Sequence, residues 1–103
     1  MEIVFHAHNA VISDRLHARA AAALDRMAAR FPGAVDSVVR FERDGASCRV
    51  EIVLHKRRNK RLVAEGRGRT YGPALSLALK HLETQLAHDK RVAKERARLA
   101  GRA

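Results

Sequence analysis

The chain has 103 residues, which is the length of one domain with one modest hydrophobic core. Lys and Arg number 21 against 11 Asp and Glu, so the formal net charge is +10. Because such self-repulsion does not help folding, the excess predicts a polyanionic partner, nucleic acid before an anionic membrane surface. There is no Trp, one Tyr and three Phe, which argues against stacking of single-stranded bases and favours structured RNA or duplex.

The cysteine content and the apolar segments indicate a compartment. Cys48 is the only cysteine, so an internal disulfide is excluded and a reducing environment fits. The N-terminus lacks a basic region followed by a long apolar run, and no apolar stretch approaches the roughly 20 residues that cross a bilayer. We therefore expect a cytoplasmic protein with no membrane contact.

The first elements in chain order are a strand and a helix. Ile3, Phe5 and Ala7 alternate with other residues, which predicts a short strand whose odd positions face inward. Ser13 predicts the start of a helix that runs to about Arg30, where a Phe-Pro-Gly sequence stops it. The apolar face of this helix consists of Leu16, Ala20, Ala23, Leu24, Met27 and Phe31.

Four arginines, here called the arginine stripe, lie beside that apolar face: Arg15, Arg19, Arg26 and Arg30. At ~100° per residue they fall within about 60° of each other around the helix axis. A solvated helix face is the alternative interpretation. The stripe is more one-sided than solubility requires, because Asp14 and Asp25 lie elsewhere on the helix. We therefore treat it as a candidate RNA-binding surface.

Three strands follow, over residues 35–43, 47–55 and 62–69. Asp44-Gly45 predicts the first hairpin turn, and residues 57–60 form the second. Ala64, Gly66 and Gly68 share one face of the last strand, and their small size predicts a helix that lies close to the sheet.

The second helix starts with a cap at Thr70 or Gly72, and Pro73 lies in its first turn. Its apolar stripe is Tyr71, Leu75, Leu79, Leu82 and Leu86. This stripe ends near residue 88, so we divide the chain into a domain over residues 1–91 and a basic C-terminal tail over residues 92–103. The order βαβββα predicts an α+β fold, a four-stranded sheet with both helices on one face, which resembles a double-stranded-RNA-binding domain in outline.

The second hairpin is strongly basic, with five Lys or Arg among residues 56–61. Cationic side chains at a loop tip can reach phosphates and release counterions, although an ordinary exposed turn is the alternative. The candidate RNA-binding residues outside the arginine stripe are Lys56, Arg57, Arg58, Lys60, Lys80, His81, His88, Lys90 and Arg91.

No constellation in the sequence predicts catalysis. His6, His8 and His55 could share the open face of the sheet, but no thiol or carboxylate cluster completes a zinc site around them. Cys48 stands in no nucleophile motif, and there is no phosphate-binding glycine loop. We therefore expect neither enzyme activity nor a metal or cofactor.

Over about residues 1–91 the sequence resembles the ribosome hibernation-promoting factor family, which includes the ribosome-associated inhibitor. The stretches that carry the resemblance are Ile3-x-Phe5-x-Ala7-x-Asn9, Ile12-Ser13-Asp14-x-Leu16, Val50-Glu51-Ile52-Val53-Leu54-His55 and Tyr71-x-x-Ala74-x-x-x-Ala78-x-x-x-Leu82-Glu83-x-Gln85-Leu86. The resemblance implies a domain that binds the small ribosomal subunit over 16S RNA, between head and body. It also implies that the sites of messenger and transfer RNA are covered, so that idle ribosomes stay inactive in stationary phase or stress.

The resemblance extends to single residues. Arg26 matches a basic family position on the first helix, Lys90 matches one after the second helix, and His17 stands where arginine is common. The second helix departs from the family, which typically has Lys or Arg at the positions of His81, Thr84, Ala87 and His88. Basic charge is thus redistributed to the hairpin, the first helix and the tail.

Two other functions remain open. One is a general module for structured or double-stranded RNA, and the other is a protein-interaction module that uses Val4, Val38 and Val53 on the open sheet face. The chain ends soon after the second helix, so the resemblance implies that any pairing of ribosomes needs a separate partner such as the ribosome modulation factor. We expect the free protein to be monomeric.

Overall fold

The computed structural model describes residues 1–101. It contains β1 (Glu2–His8), α1 (Asp14–Arg30), β2 (Ala34–Asp44), β3 (Ser47–Lys56), β4 (Lys60–Gly68) and α2 (Tyr71–Ala100). The four strands form one sheet in the order β1-β2-β3-β4, with β1 parallel to β2 and the other neighbours antiparallel. The predicted α+β fold and its βαβββα order are confirmed.

α2 continues through most of the segment for which the sequence predicts a basic tail. Its 30 residues correspond to about 45 Å of helix, which explains the 55 Å long dimension of the molecule. Residues 102–103 of the predicted tail lie outside the described part of the chain.

The ends of α1 follow the sequence signals. The Oγ of Ser13 accepts a hydrogen bond from the N–H of Leu16 at 3.2 Å, which satisfies one free donor of the first turn. At the other end, the N–H of Phe31 donates to the carbonyl of Met27 at 2.9 Å. Gly33 then turns the chain into β2 with a φ of 108°, a left-handed value that favours glycine.

The two hairpins differ slightly from their sequence signals. Asp44 pairs with Ser47, so the first turn consists of Gly45 and Ala46, one residue later than predicted. Gly45 has a φ of 61° at the first central position, where tight hairpins favour glycine. The second turn is the three-residue segment 57–59, because Lys56 pairs with Lys60.

The core lies between the helices and one face of the sheet, and its largest fully buried side chains include Phe41, Leu24, Ile52, Leu75 and Leu82. A Cβ on Gly66 would lie 2.6 Å from the backbone nitrogen of Ala78, so the predicted close approach of a helix to β4 is confirmed.

Two details differ from expectation. Ala7 is exposed near the end of β1, and Thr70 precedes α2 without a side-chain capping bond.

The opposite face of the sheet, here called the open face, consists of four rows of side chains that run across the strands. In the order β1 to β4 the rows are Glu2-Asp36-His55-Arg61, Val4-Val38-Val53-Val63, His6-Arg40-Glu51-Glu65 and His8-Glu42-Arg49-Arg67. Asp44, the last residue of β2, lies beyond the fourth row on the same face, 3.9 Å from Arg67. We call the second row the valine row. The open face therefore has three charged or polar rows and one apolar row, which lies between the first and third rows.

Candidate nucleic-acid interface

The arginine stripe faces the groove between the two helices. Arg19 reaches across it, where Nη1 donates to the carbonyl of Gly72 at 3.2 Å and Nη2 donates to the Oγ of Ser76. Arg30 also reaches α2, with its Nη1 2.8 Å from the Oε1 of Glu83. Two arginines of the stripe thus hold the helices together while they line the groove.

Arg15 and Arg26 differ from the other two members of the stripe. Both side chains are exposed, and neither forms an ion pair within residues 1–101. Since they form no such pair inside the molecule, their full charge is available to a ligand. They are the members of the stripe best suited to contact phosphate.

Basic residues of α2 extend this surface. The Nζ of Lys90 lies 5.6 Å from the centroid of the Phe31 ring, and the guanidinium of Arg30 lies 5.1 Å from the same centroid. A shallow cleft of about 310 Å³ at this place is lined by Arg30, Phe31, Ala87, Lys90, Arg91 and Lys94. Lys80 and Arg91 line a neighbouring cleft that also contains Glu83. The structure therefore brings Lys80, Lys90 and Arg91 together with the stripe.

The two histidines of α2 lie away from the stripe. The Nδ1 of His81 donates to the carbonyl of Glu65 at 2.7 Å, and the Nε2 of Gln85 donates to the carbonyl of Val63 at 2.8 Å. β4 is an edge strand, so these two side chains occupy carbonyls that a further strand could otherwise use. His88 is exposed one heptad after His81, hence on the same side of α2.

The basic residues of the hairpin differ in whether they are exposed to a ligand. Arg57, Arg58 and Lys60 are exposed at its tip. Lys56 instead points to α2, where its Nζ lies 3.3 Å from the Oδ2 of Asp89 and only 17% of its side chain is exposed. Lys56 therefore anchors the hairpin, and the three tip residues are free to reach outward.

The hairpin, the end of α1 and the distal half of α2 meet at one end of the molecule. A cleft lined by Phe31, Pro32, Lys56, Leu86, Lys90 and Ala93 connects all three. Two basic residues that the sequence analysis did not select also lie here, because Arg61 lines the hairpin cleft and Lys94 lines the cleft beside Lys90. The four-residue spacing of Lys90 and Lys94 was a usable signal, which the assignment of Lys94 to a tail obscured.

Three of the four arginines of the open face, Arg40, Arg49 and Arg67, form ion pairs with carboxylates. Arg49 lies 3.3 Å from Glu42, 2.7 Å from Glu51 and 3.0 Å from Glu65, and Arg67 lies 2.9 Å from Glu65. The hydrogen bond from Arg49, followed by that from Arg67, lowers the pKa of Glu65. The open face thus pairs its charges internally, whereas the helix side leaves many of them free.

The residues considered for metal binding or catalysis are far apart or already contact other groups of the protein. His55 contacts Asp36 at 2.5 Å, and His6 and His8 stand in different rows on β1. Within residues 1–101 no group of three His, Cys, Asp or Glu side chains could hold a metal ion. Cys48 is buried, with its Sγ 3.5 Å from the carbonyl of Arg69. In the same part of the chain, neither helix combines the length and apolarity that a membrane span requires.

The fold and the charge distribution define a small basic βαβββα domain with a cationic helix side and a self-paired sheet face. A family model described as Sigma 54 modulation protein / S30EA ribosomal protein matches residues 3–94. The chain belongs to this ribosome-associated family, which confirms the resemblance to the hibernation-promoting factors.

Solved structures share the fold. One is a ribosomal subunit interface protein from Coxiella burnetii, with a TM-score of 0.81 and 19% identity over 88% of this chain and 99% of that chain. Another is the N-terminal domain of Thermus thermophilus Protein Y, with a TM-score of 0.72 and 23% identity over 84% and 96% of the two chains. A comparison with curated proteins found no match.

Proposed function

We propose that this protein binds the small ribosomal subunit in the decoding channel, over 16S rRNA, and keeps idle ribosomes inactive in stationary phase or stress. It acts in the cytoplasm by binding alone, without a catalytic step. Membership of the family supports this function, as does the fold shared with a protein described as a ribosomal subunit interface protein.

The observation that carries the proposal is the location of the free basic charge. Arg15 and Arg26 on α1 and Lys80 and Arg91 on α2 are exposed without an ion pair within residues 1–101. The tip of the basic hairpin adds further exposed cations at one end of the molecule. Such a surface neutralises several phosphates at once, and each contact releases counterions.

The anchored residues have a different role in this proposal. Arg19 and Arg30 fix the distance between α1 and α2 through Ser76 and Glu83, and Lys56 fixes the hairpin against Asp89. These contacts set how α1, α2 and the hairpin, which carry the free cations, lie relative to one another. In this proposal, pairing of two ribosomes uses a separate partner such as the ribosome modulation factor.

The test is co-sedimentation with purified small subunits on sucrose gradients. We expect Arg15→Glu with Arg26→Glu to shift the protein from the subunit fraction to the free fraction. The matched control is Arg40→Glu with Arg67→Glu, which makes the same charge change on the open face. Thermal unfolding of both variants tests whether each is folded.

Two outcomes would contradict the proposal. Wild-type protein could remain free at all subunit concentrations, or the two double variants could lose binding equally. Equal affinity for subunits and for an arbitrary RNA duplex would favour a general double-stranded-RNA module instead, since that module reads helix shape and phosphates.

A further inference from the structure

The open face has a charge pattern that reverses across its midline. The midline runs between β2 and β3, so a residue on β2 mirrors one on β3, and a residue on β1 mirrors one on β4. In the charged rows, mirrored residues have opposite charges, or one of the two is a histidine opposite a carboxylate. Asp36 mirrors His55, Arg40 mirrors Glu51 and Glu42 mirrors Arg49. At the outer strands Glu2 mirrors Arg61 and His6 mirrors Glu65. Only His8 and Arg67, at the rim, do not follow this pattern.

We propose that the open face binds a second copy of this chain, face to face, about a two-fold axis parallel to the strands and between β2 and β3. Under this symmetry β2 lies over β3 of the second copy, and β1 lies over β4. Each row then meets the same row of the other chain, as an isologous interface requires.

The charge pattern fits a second copy because mirrored residues meet across the interface. Arg40 then lies over Glu51 of the second copy, and Glu2 lies over Arg61 of the second copy. The intrachain pairs of Arg49 and Arg40 become parts of networks shared by two chains, and a network stabilises more than isolated surface pairs. An RNA backbone would instead meet six carboxylates on this face, namely Glu2, Asp36, Glu42, Asp44, Glu51 and Glu65.

The valine row gives this interface an apolar centre. Val4 and Val63 at its ends are 38% and 43% exposed, and Val38 and Val53 in the middle are partly exposed. β-branched side chains in a row suit the packing of one sheet on another at about 10 Å. Under the proposed axis, Val38 lies over Val53 of the second copy.

The size of the face limits the strength of the dimer. Four strands ~4.8 Å apart and about seven residues long at ~3.3 Å each cover roughly 400 Å² per copy. A stable interface buries about 800 Å² per partner, so association is weak and the chain is monomeric in dilute solution. Both helices lie on the outer sides of the dimer, so self-association and RNA binding use different surfaces and can be tested separately.

The test is sedimentation equilibrium of the full chain from micromolar to millimolar concentration. We expect the mean mass of wild type to rise from that of one chain toward that of two. Val53→Glu and Val38→Lys should each stay at the mass of one chain. A dimer of either variant would bury the introduced charges without partners at the centre of the interface. Val11→Lys is the control, because Val11 is 99% exposed in the loop before α1, and it should behave as wild type.

Mixing distinguishes the proposed arrangement from other dimers. An equimolar mixture of Val53→Glu and Val38→Lys should recover association, since the introduced Glu and Lys then lie over each other. Glu2→Lys and Arg61→Glu, neither of which removes an ion pair within residues 1–101, provide a second pair with the same logic. A constant one-chain mass of wild type at all concentrations would overturn the proposal, and so would no recovery in either mixture.

Discussion

The helix side and the open face differ in how their charges are used. The open face has six carboxylates and four arginines, Arg40, Arg49, Arg61 and Arg67, most of them in ion pairs. The rest of the chain holds the other 17 Lys and Arg against five carboxylates, Asp14, Asp25, Glu83, Asp89 and Glu95. The net charge of +10 therefore comes from residues other than those of the open face. On the open face charge stabilises neighbouring strands, and on the helix side it remains available to a partner.

Removing the central cation of the open face gives the largest expected loss of stability. Arg49→Met leaves Glu42, Glu51 and Glu65 close together without their shared partner, and 20% of the Arg49 side chain is exposed. We expect a loss of about 2 kcal/mol in the free energy of unfolding, measured by urea denaturation. Affinity for the small subunit should not change.

Arg58→Met is the control for that comparison, because Arg58 is exposed at the hairpin tip. It should leave the free energy of unfolding unchanged within about 0.5 kcal/mol. If Arg49→Met weakened subunit binding while the protein remained folded, the division of roles between the two sides would be wrong.

Neutralising the hairpin tip should weaken RNA binding and leave stability unchanged, the reverse of what we expect for Arg49→Met. We expect Arg57→Gln, Arg58→Gln and Lys60→Gln together to reduce the slope of log affinity against log salt concentration by about 2 to 3, roughly one per lost phosphate contact. Titration of labelled small subunits at several salt concentrations measures that slope. The midpoint of urea denaturation should not move, and an unchanged slope would show that the hairpin does not contact RNA.

The sequence predicted the elements and the arginine stripe because periodicity and turn residues are local. It could not show that Arg19 and Arg30 contact α2, since those contacts join residues more than 50 positions apart. For the same reason Lys56 was indistinguishable from Arg57 before its pairing with Asp89 was known. The alignment of the valine row depends on the register of four strands, which alternation along one strand does not specify.

Low pH should weaken the ion pairs of the open face and so lower the stability of the protein. Hydrogen bonds from Arg49 and Arg67 lower the pKa of Glu65 in the folded protein, so its stabilising effect is present above the ordinary carboxyl pKa. That effect is lost as pH falls through the lowered pKa. Since 40% of the Glu65 side chain is exposed, we expect Glu65→Gln to cost less than about 1 kcal/mol at pH 7.

Thermal unfolding of wild type and Glu65→Gln at several pH values tests that expectation. The difference in Tm should shrink toward zero as pH falls below the ordinary carboxyl pKa and through the lowered pKa of Glu65, because the wild-type carboxyl then becomes protonated. A difference that stayed constant over this range would mean that Glu65 stabilises through packing instead of charge.

The smallest expected effect concerns Glu83, a carboxylate that pairs across the helix groove. Glu83 binds Arg30 and lines the same cleft as Lys80 and Arg91. The pair is well exposed, at 61% for Arg30 and 44% for Glu83, so its loss should change stability by less than about 1 kcal/mol. A bound phosphate, however, is repelled by Glu83 and attracted by an Arg30 that has lost its partner.

We therefore expect Glu83→Gln to bind the small subunit about two- to fivefold more tightly at low salt, an effect that salt should screen. Asp25→Asn is the matched control, because it removes the same charge from α1 on the side away from the arginine stripe, and it should have a smaller effect. If Glu83→Gln weakened binding, Glu83 would be needed to position Arg30. The position of the Arg30 side chain would then affect affinity more than the net charge of the groove does. Tighter binding would instead show that the groove gives up affinity for the interhelical contact between Arg30 and Glu83.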